Sequence, residues 1–221
     1  MTDIVSEPLA TSPGTPVPQN AARNPRPKRA QPARGPNPVL ERLFELYPKM
    51  FGARFLPLKL GVYQELLALH PEEFKKEDLK LALGLHARST RYLESVAAGE
   101  KRHDLQGLPV EAVAPEHVHH AILELFRRRQ ARSKEDLRPG LRNRLAAAIE
   151  ASGLTREAYC ERVRTQDESF TALLDEAFAL LAEQAAKREA MRRAFEASGR
   201  TVPEFAEMYG IDPSLANQLL A

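Results

Sequence analysis

The chain has 221 residues and a hydrophobic fraction of 43%, which suffices for one or two packed domains. It contains no apolar run of the roughly 18 residues that a membrane-spanning helix needs and no signal-peptide pattern, so we expect a cytoplasmic protein without a membrane segment. Its formal net charge of +2 does not by itself indicate a nucleic-acid binder, and its single cysteine excludes an internal disulfide.

Residues 1–38 are expected to form a disordered, proline-rich basic tail. They contain nine of the seventeen prolines and carry a net charge of +3. Such a composition buries too little apolar surface to offset the entropy lost on ordering. Two interpretations stay open: an electrostatic arm that touches phosphates, or an inert solubilising leader.

Three amphipathic segments follow the tail. Residues 39–51 and 60–69 place apolar side chains at helical spacing, and Pro48 and Gly52 indicate interruptions of the first segment. Residues 77–96 continue the helical pattern with a break at Ser89–Thr90. Basic side chains lie off the apolar face of this third segment and form one exposed stripe: Lys80, Arg88 and Arg91. Such a stripe is either a solvated helix face or part of a nucleic-acid surface.

The helical spacing of apolar residues ends before residues 99–113. Their pattern predicts a small hairpin that turns at Gly107, with Pro109 keeping one strand at an edge. Pro115 then opens another helix. Its buried face is predicted to consist of Val118, Ala121, Ile122 and Leu125. This helix ends in the run Arg127–Arg129, which either complements the helix dipole or binds phosphate.

Residues 131–140 are interpreted as a linker between a first domain, residues 39–130, and a second domain, residues 141–221. The second domain contains an internal repeat with a period of 46 residues. The segment AIEASG at 148–153 recurs as AFEASG at 194–199. Each copy predicts a helix, a glycine-capped turn and further helices. The second domain carries a net charge of −3.

The second copy also has the spacing of a helix-turn-helix, with Gly210 at the turn and residues 212–220 as the recognition-like helix. The first copy has Arg164 where that turn glycine would be. The recognition-like helix contains no Lys or Arg for phosphate contacts. Helical packing or contact with a protein partner is therefore favoured for residues 141–221 over DNA binding.

No catalytic or cofactor motif is present in the sequence. There is no dinucleotide-binding or phosphate-binding glycine loop and no nucleophile elbow. The three histidines His117, His119 and His120 include a helical i, i+3 pair, but no third metal ligand is placed by the sequence. We expect no enzyme activity, no cofactor and no metal site.

The order of several motifs resembles the ProQ/FinO family of bacterial RNA chaperones. PLKLG at 57–61 precedes a helix that ends in Arg91-Tyr92-Leu93, and GEKRHDLQG follows at 99–107. The resemblance covers roughly residues 43–126. It implies a mainly α domain with a small β-hairpin, followed here by an all-α domain of two similar helical repeats. It also implies binding to structured RNA, in the form of a terminator-like hairpin with a single-stranded 3′ tail.

The resemblance further implies a set of RNA-binding residues. Lys59 and Gly61 would belong to the pocket for the RNA 3′ end, where a helix N-terminus can receive phosphate or hydroxyl oxygens. Tyr92 would supply a ring or hydroxyl to the RNA, and Arg102 would pair with a backbone phosphate. The basic residues expected to join them are Lys80, Arg88, Arg91 and Lys101.

Two positions depart from the family pattern. Gly84 stands where a second Arg is frequent, and Thr90 stands where an aromatic residue is common. Arg88, one turn beyond Gly84, is expected to supply the missing charge. These departures concern which RNA is chosen more than whether RNA is bound.

The sequence thus predicts an RNA chaperone for small regulatory RNAs and mRNA 3′ ends, acting in annealing or transcript protection, with a possible protein partner for residues 141–221. Two alternatives stay open: a DNA-binding regulator that acts through the second repeat, and a protein-interaction adaptor.

Overall fold

The computed structural model describes residues 37–164 and 168–220. These residues form eleven α-helices and one two-stranded antiparallel sheet, so the predicted mainly α class with a small hairpin is confirmed. In chain order the elements are α1 Pro38–Leu46, α2 Pro48–Phe51, α3 Val62–Leu69, α4 Lys76–Ala87, α5 Thr90–Ala97, β1 Arg102–His103, β2 Pro109–Glu111, α6 Pro115–Gln130, α7 Arg138–Ser152, α8 Arg156–Val163, α9 Glu168–Ser198, α10 Val202–Tyr209 and α11 Pro213–Leu220. Residues 1–36 of the predicted tail lie outside the described residues.

Local signals in the sequence set the bounds of the first two helices. Asn37 caps α1, because its Oδ1 accepts hydrogen bonds from the Val39 and Leu40 amides at 3.0 and 3.2 Å. Pro48 opens α2 after the one-residue break at Tyr47. A Cβ at Gly52 would lie 2.1 Å from the Pro48 carbonyl oxygen, so only glycine fits where α2 ends.

The predicted break between α4 and α5 is confirmed. Ser89 is the N-cap of α5, and its hydroxyl accepts a hydrogen bond from the Tyr92 amide at 3.2 Å. The preceding helix α3 begins at Val62, two residues later than the apolar pattern indicates. The cause is the turn at Gly61, whose φ of 81° lies in the left-handed region.

The hairpin turns at Gly107 as expected, with Arg102 paired to Glu111 across the strands. Asp104 organises the turn, because its Oδ1 accepts hydrogen bonds from the Gln106 and Leu108 amides at 3.0 and 2.9 Å. Glycine is needed at 107 for two reasons. Its φ is 79°, and a Cβ there would lie 3.2 Å from the side chain of Lys49.

A further extended segment, which the sequence analysis did not predict, runs parallel to β1. Leu58 forms a bridge with His103. The His103 amide donates to the Pro57 carbonyl at 2.7 Å, and the Lys59 amide donates to the His103 carbonyl at 2.9 Å. This pairing attaches the segment that precedes α3 to the hairpin.

Two apolar clusters share helix α6. The first is built on α1 to α5 around the fully buried Leu43, Leu66 and Leu79, and it receives Ala121 and Leu125 from α6. The second packs Ile122 and Leu123 of α6 against α7, α8 and α9. The predicted burial of Ala121, Ile122 and Leu125 is confirmed, whereas Val118 is only half-buried. The buried surface of α6 is wider than one face.

The two copies of the repeat share a helix. Copy one comprises α7, α8 and the first part of α9, and copy two comprises the last part of α9 with α10 and α11. Phe170, Leu173 and Leu174 of α9 pack in the cluster that contains α7. Near the other end, the Phe195 ring lies 5.3 Å from that of Phe205 in α10.

The turns of the two copies correspond residue by residue. Thr155 and Thr201 are the N-caps of α8 and α10. Arg164 and Gly210 follow those helices, and both adopt the left-handed conformation, with φ of 42° and 64°. Among the described residues Arg164 is the one non-glycine residue with positive φ. The repeat therefore imposes a glycine conformation on an arginine.

Candidate nucleic-acid interface

Two side chains from distant parts of the sequence hold the backbone of Leu58. The Leu58 amide donates to the Tyr92 hydroxyl oxygen at 3.1 Å, and Arg102 Nη1 donates to the Leu58 carbonyl at 2.8 Å. Since both backbone groups of Leu58 are satisfied in this way, the turn that leads into α3 is fixed in position.

Tyr92 is part of the core, with 9% of its surface exposed. Its ring lies 5.1 Å from the ring of His86. The family resemblance implied that Tyr92 offers a ring or hydroxyl to RNA. In this structure the hydroxyl accepts a hydrogen bond from the Leu58 amide and the ring packs against His86, so Tyr92 holds the Leu58 backbone in place.

Arg102 is also committed to protein partners. Its side chain is 12% exposed, and its Nη2 lies 3.1 Å from His117 Nδ1. Its Nε lies 3.8 Å from Glu111 Oε1. Arg102 thus joins the segment before α3, β2 and the first turn of α6. Lys101, the residue before it, is exposed.

The backbone that Tyr92 and Arg102 hold leads into the N-terminus of α3. Gly61 is the N-cap, and no side chain caps the first turn. The N–H groups of an uncapped first turn, together with the helix dipole, favour an anion or a hydroxyl oxygen. Lys59 lies beside it, with Nζ 2.7 Å from Glu65 Oε2 and about a quarter of its side chain exposed. The predicted pair Lys59 and Gly61 is therefore brought together at one helix end.

A second group of predicted residues lies on α4 and at the corner between α4 and α5. Lys80, Arg88 and Arg91 are exposed. A Cβ built on Gly84 would lie 3.5 Å from Arg88 Nη2, so the guanidinium of Arg88 covers the position that a side chain at 84 would occupy. Arg91 lies over the Phe55 ring, 5.9 Å from its centroid.

The contribution of Arg128 to this corner was not predicted from the sequence. Its Nη1 donates to the Arg88 carbonyl at 2.8 Å and lies 3.5 Å from Thr90 Oγ1, while its Nε donates to Glu124 at 2.8 Å. Arg128 stands in the run of arginines that ends α6, which was interpreted as a dipole complement or a phosphate contact. The signal was the run itself, but its position against α4 depends on tertiary packing.

Two histidines, His86 and His119, are buried and therefore cannot contact a ligand at the surface. His86 is 3% exposed between Phe51 and Phe55, whose ring centroids lie 4.7 and 4.4 Å away, and burial lowers its pKa to about 4. His119 is equally buried, with Nδ1 3.2 Å from the Tyr159 hydroxyl, and burial lowers its pKa to about 4 as well. Both rings are neutral at pH 7.

The three histidines of α6 have different surroundings. His117 is exposed and contacts Arg102, His119 is buried against Tyr159, and His120 is exposed. Among the residues that the structure describes, no group of three or more possible ligands could hold a metal ion. No helix within the described ranges is long and apolar enough to cross a membrane.

The helix-turn-helix spacing near the C-terminus corresponds to α10, Gly210 and α11. Asp212 Oδ1 accepts hydrogen bonds from the Ser214 and Leu215 amides at 2.7 and 3.3 Å. An aspartate therefore occupies the helix end where a DNA-binding helix offers its amides to phosphate, and α11 contains no Lys or Arg. These two features disfavour DNA binding through α11.

Comparison with known proteins finds similarity in one segment of the chain. Residues 33–138 match the model described as the ProQ/FINO family. The chain is 40% identical over 93 residues to the RNA chaperone ProQ of Shewanella frigidimarina, covering 40% of this chain and 46% of that protein. It is 39% identical over 89 residues to the protein of the same name from Shewanella oneidensis, covering 38% and 42%.

A solved structure is also similar. The crystal structure of a FinO-like RNA chaperone from Neisseria meningitidis MC58 is 32% identical, with a TM-score of 0.35, covering 38% of this chain and 85% of that chain. The chain spans less than half of the length of each of these two Shewanella proteins.

Proposed function

We propose that the chain is an RNA-binding protein that acts as an RNA chaperone, because residues 33–138 match the ProQ/FINO family. The single observation that carries the proposal is the uncapped N-terminus of α3 next to Lys59, inside the matched segment. Helix amides and an adjacent ammonium group are suited to the oxygen-rich 3′ end of an RNA strand.

Each predicted residue has a role in this proposal. The 3′-terminal ribose and phosphate lie against the first turn of α3, with Lys59 beside the phosphate. Tyr92 and Arg102 are positioning residues, because they hold the Leu58 backbone that places this turn. Lys101, next to Arg102, is exposed and would approach the strand that leads to the 3′ end.

The stem of the RNA lies along the basic residues of α4 and α5. A duplex of RNA has a deep, narrow major groove, so a protein recognises it through shape and phosphates. Lys80, Arg88 and Arg91 are exposed cations on that side and need no base contact to bind a stem. A hairpin with a single-stranded 3′ tail presents both features that this arrangement would recognise.

We further propose the finer organisation and role. Residues 39–130 form the RNA-binding domain, residues 131–140 connect it to the repeat, and residues 141–221 bind a protein partner. Small regulatory RNAs and mRNA 3′ ends in the cytoplasm are the proposed targets, and the outcome is annealing or transcript protection without enzymatic turnover.

The test measures binding of the full chain to a terminator-like hairpin with a uridine tail. The same hairpin without the tail and a DNA duplex serve as comparison ligands. We expect tight, salt-sensitive binding that depends on the tail. Lys59→Gln should weaken binding of the tailed hairpin by about tenfold, because a charge-assisted contact to phosphate is lost. The matched control is Lys187→Gln, which removes one exposed lysine from α9.

Equal losses in Lys59→Gln and Lys187→Gln would contradict the assignment of the α3 end. Equal affinity for the hairpin and for duplex DNA would contradict RNA recognition as a whole.

A further inference from the structure

The junction between α6 and α7 carries a dense concentration of positive charge. Residues 127–144, here termed the basic corner, contain eight Lys or Arg and two Asp or Glu, a net charge of +6. The whole chain has a net charge of +2, so the other residues together are acidic. A concentration of this kind within 18 residues produces a local field that attracts polyanions.

Several of these cations have no strong partner. Arg132 and Lys134 are exposed and form no ion pair within the described part of the chain. The side chain of Arg138 is 71% exposed, and its Nε lies 3.7 Å from Asp136. Arg129 pairs with Glu94 at 3.0 Å, in a pair whose side chains are about half exposed. Exposed pairs of this kind exchange readily for another anion.

The helix dipole accounts for only three of the eight cations of the basic corner. Arg127, Arg128 and Arg129 stand in the last turn of α6, where cations are favourable. Arg138 is the first residue of α7, whose first turn contains no acidic residue. A cation at a helix N-terminus is unfavourable for the folded chain. The Asp136 carboxylate accepts a hydrogen bond from the Arg138 amide at 3.0 Å and partly offsets this cost, while the exposed Arg138 guanidinium stays accessible to an external anion.

A cleft in the basic corner brings two arginines together. Arg129 and Arg144 line a cavity of about 150 Å³, together with Ile122, Phe126, Leu137, Gly140 and Leu141. The pKa of the Arg144 guanidinium is lowered from its ordinary value by burial and by Arg129. A phosphate between the two groups would relieve their repulsion.

The basic corner is continuous with the cations on α4 and α5. The hydrogen bond from Arg128 Nη1 to the Arg88 carbonyl joins the end of α6 to the corner between α4 and α5. The ion pair between Arg129 and Glu94 adds a second connection, to α5. A stem that lies along Arg88 and Arg91 therefore meets the basic corner when it is extended.

We propose that the basic corner is a second RNA-binding surface, which contacts the backbone phosphates of the stem of the same RNA through Arg129, Arg132, Lys134, Arg138 and Arg144. This inference rests on the proposed function. It assigns to the repeat domain, through the first turns of α7, a part in RNA binding. Arg144 lies beyond the segment that matches the family.

The test compares two triple variants of the full chain with equal net charge. The corner variant is Arg132→Gln, Lys134→Gln and Arg138→Gln. The control variant is Arg192→Gln, Arg193→Gln and Arg200→Gln, at exposed positions near the end of α9. Each is titrated with tailed hairpins of about 5 and about 15 base pairs at several salt concentrations, and thermal unfolding verifies that both variants fold.

For the long stem we expect the corner variant to bind at least about tenfold more weakly than the control variant. The slope of log K against log salt should fall by about 2 to 3, because each lost phosphate contact reduces it by about 0.9. The short stem should be affected much less.

Equal behaviour of the two triple variants, with tail-dependent binding lost in Lys59→Gln, would overturn the basic corner and leave the proposed function intact. Failure of the unaltered chain to bind either hairpin would overturn both.

Discussion

A substitution at Arg102 can distinguish a positioning role from a direct phosphate contact. It binds the Leu58 carbonyl and His117 with two nitrogens of one planar group. We expect Arg102→Lys to lose tail-dependent RNA binding by about tenfold although the charge is kept, because an ammonium group cannot reach both partners. The measurement is the affinity ratio between tailed and tailless hairpins.

Arg91→Lys serves as the control, because Arg91 is exposed and should tolerate lysine. If Arg102→Lys binds like the unaltered chain, Arg102 acts by charge alone, as the family resemblance implied.

Single residues were predicted unevenly from the sequence. The proximity of Lys59 to Gly61 follows from their spacing, since both belong to one turn. The commitment of Tyr92 to the core does not follow. A tyrosine near the start of an amphipathic helix has the same spacing whether its hydroxyl meets solvent or a backbone amide, and here the amide belongs to a residue 34 positions away.

At the scale of helices, α4 and α6 each bury a neutral histidine, which makes stability depend on pH. His86 and His119 have a pKa of about 4 in the folded chain, below the ordinary value of 6.5. A lowered histidine pKa contributes stability that is present above pH 6.5 and is lost as the pH falls towards 4. Within this range, each histidine should reduce the free energy of unfolding by up to about 1.4 kcal/mol for every unit by which the pH falls.

Urea unfolding between pH 7 and pH 4.5 measures this dependence. His86→Leu should reduce the slope by about half, whereas His120→Gln, at an exposed position, should leave it unchanged. A slope that is the same in all three proteins would show that the buried rings do not titrate on unfolding.

Element bounds followed the sequence where the signal was local. Asn37, Pro48 and Ser89 each begin a helix through their own side chain or ring. The segment at Leu58 that pairs with β1 could not be predicted in this way. Its pairing joins residues about 45 positions apart, and it begins with a proline, which argues against a strand.

At the scale of the molecule, α6 links the two parts of the described chain. Removing residues 138–221 would expose Ile122 and Leu123, which are 2% and 6% exposed in the full chain. We expect the shortened chain to unfold at a Tm lower by about 5 to 10 °C and to bind a hydrophobic dye. Calorimetry and dye fluorescence measure the two effects.

The double variant Ile122→Gln and Leu123→Gln in the shortened chain should abolish dye binding, because it replaces the newly exposed apolar face. An unchanged Tm after shortening would mean that α6 gains little from its contact with the repeat. The sequence indicated the apolar residues of α6 but could not divide them between two cores, since adjacent positions on one helix face can belong to either.

Helix α9 has 31 residues, so at a rise of about 1.5 Å per residue its length is about 46 Å. Because both repeats use this one helix, no loop separates them and neither can pivot without bending it. The helix therefore fixes the distance between the two repeats. A partner bound to α10 and α11 would be kept at a set distance from the apolar cluster at the other end of α9.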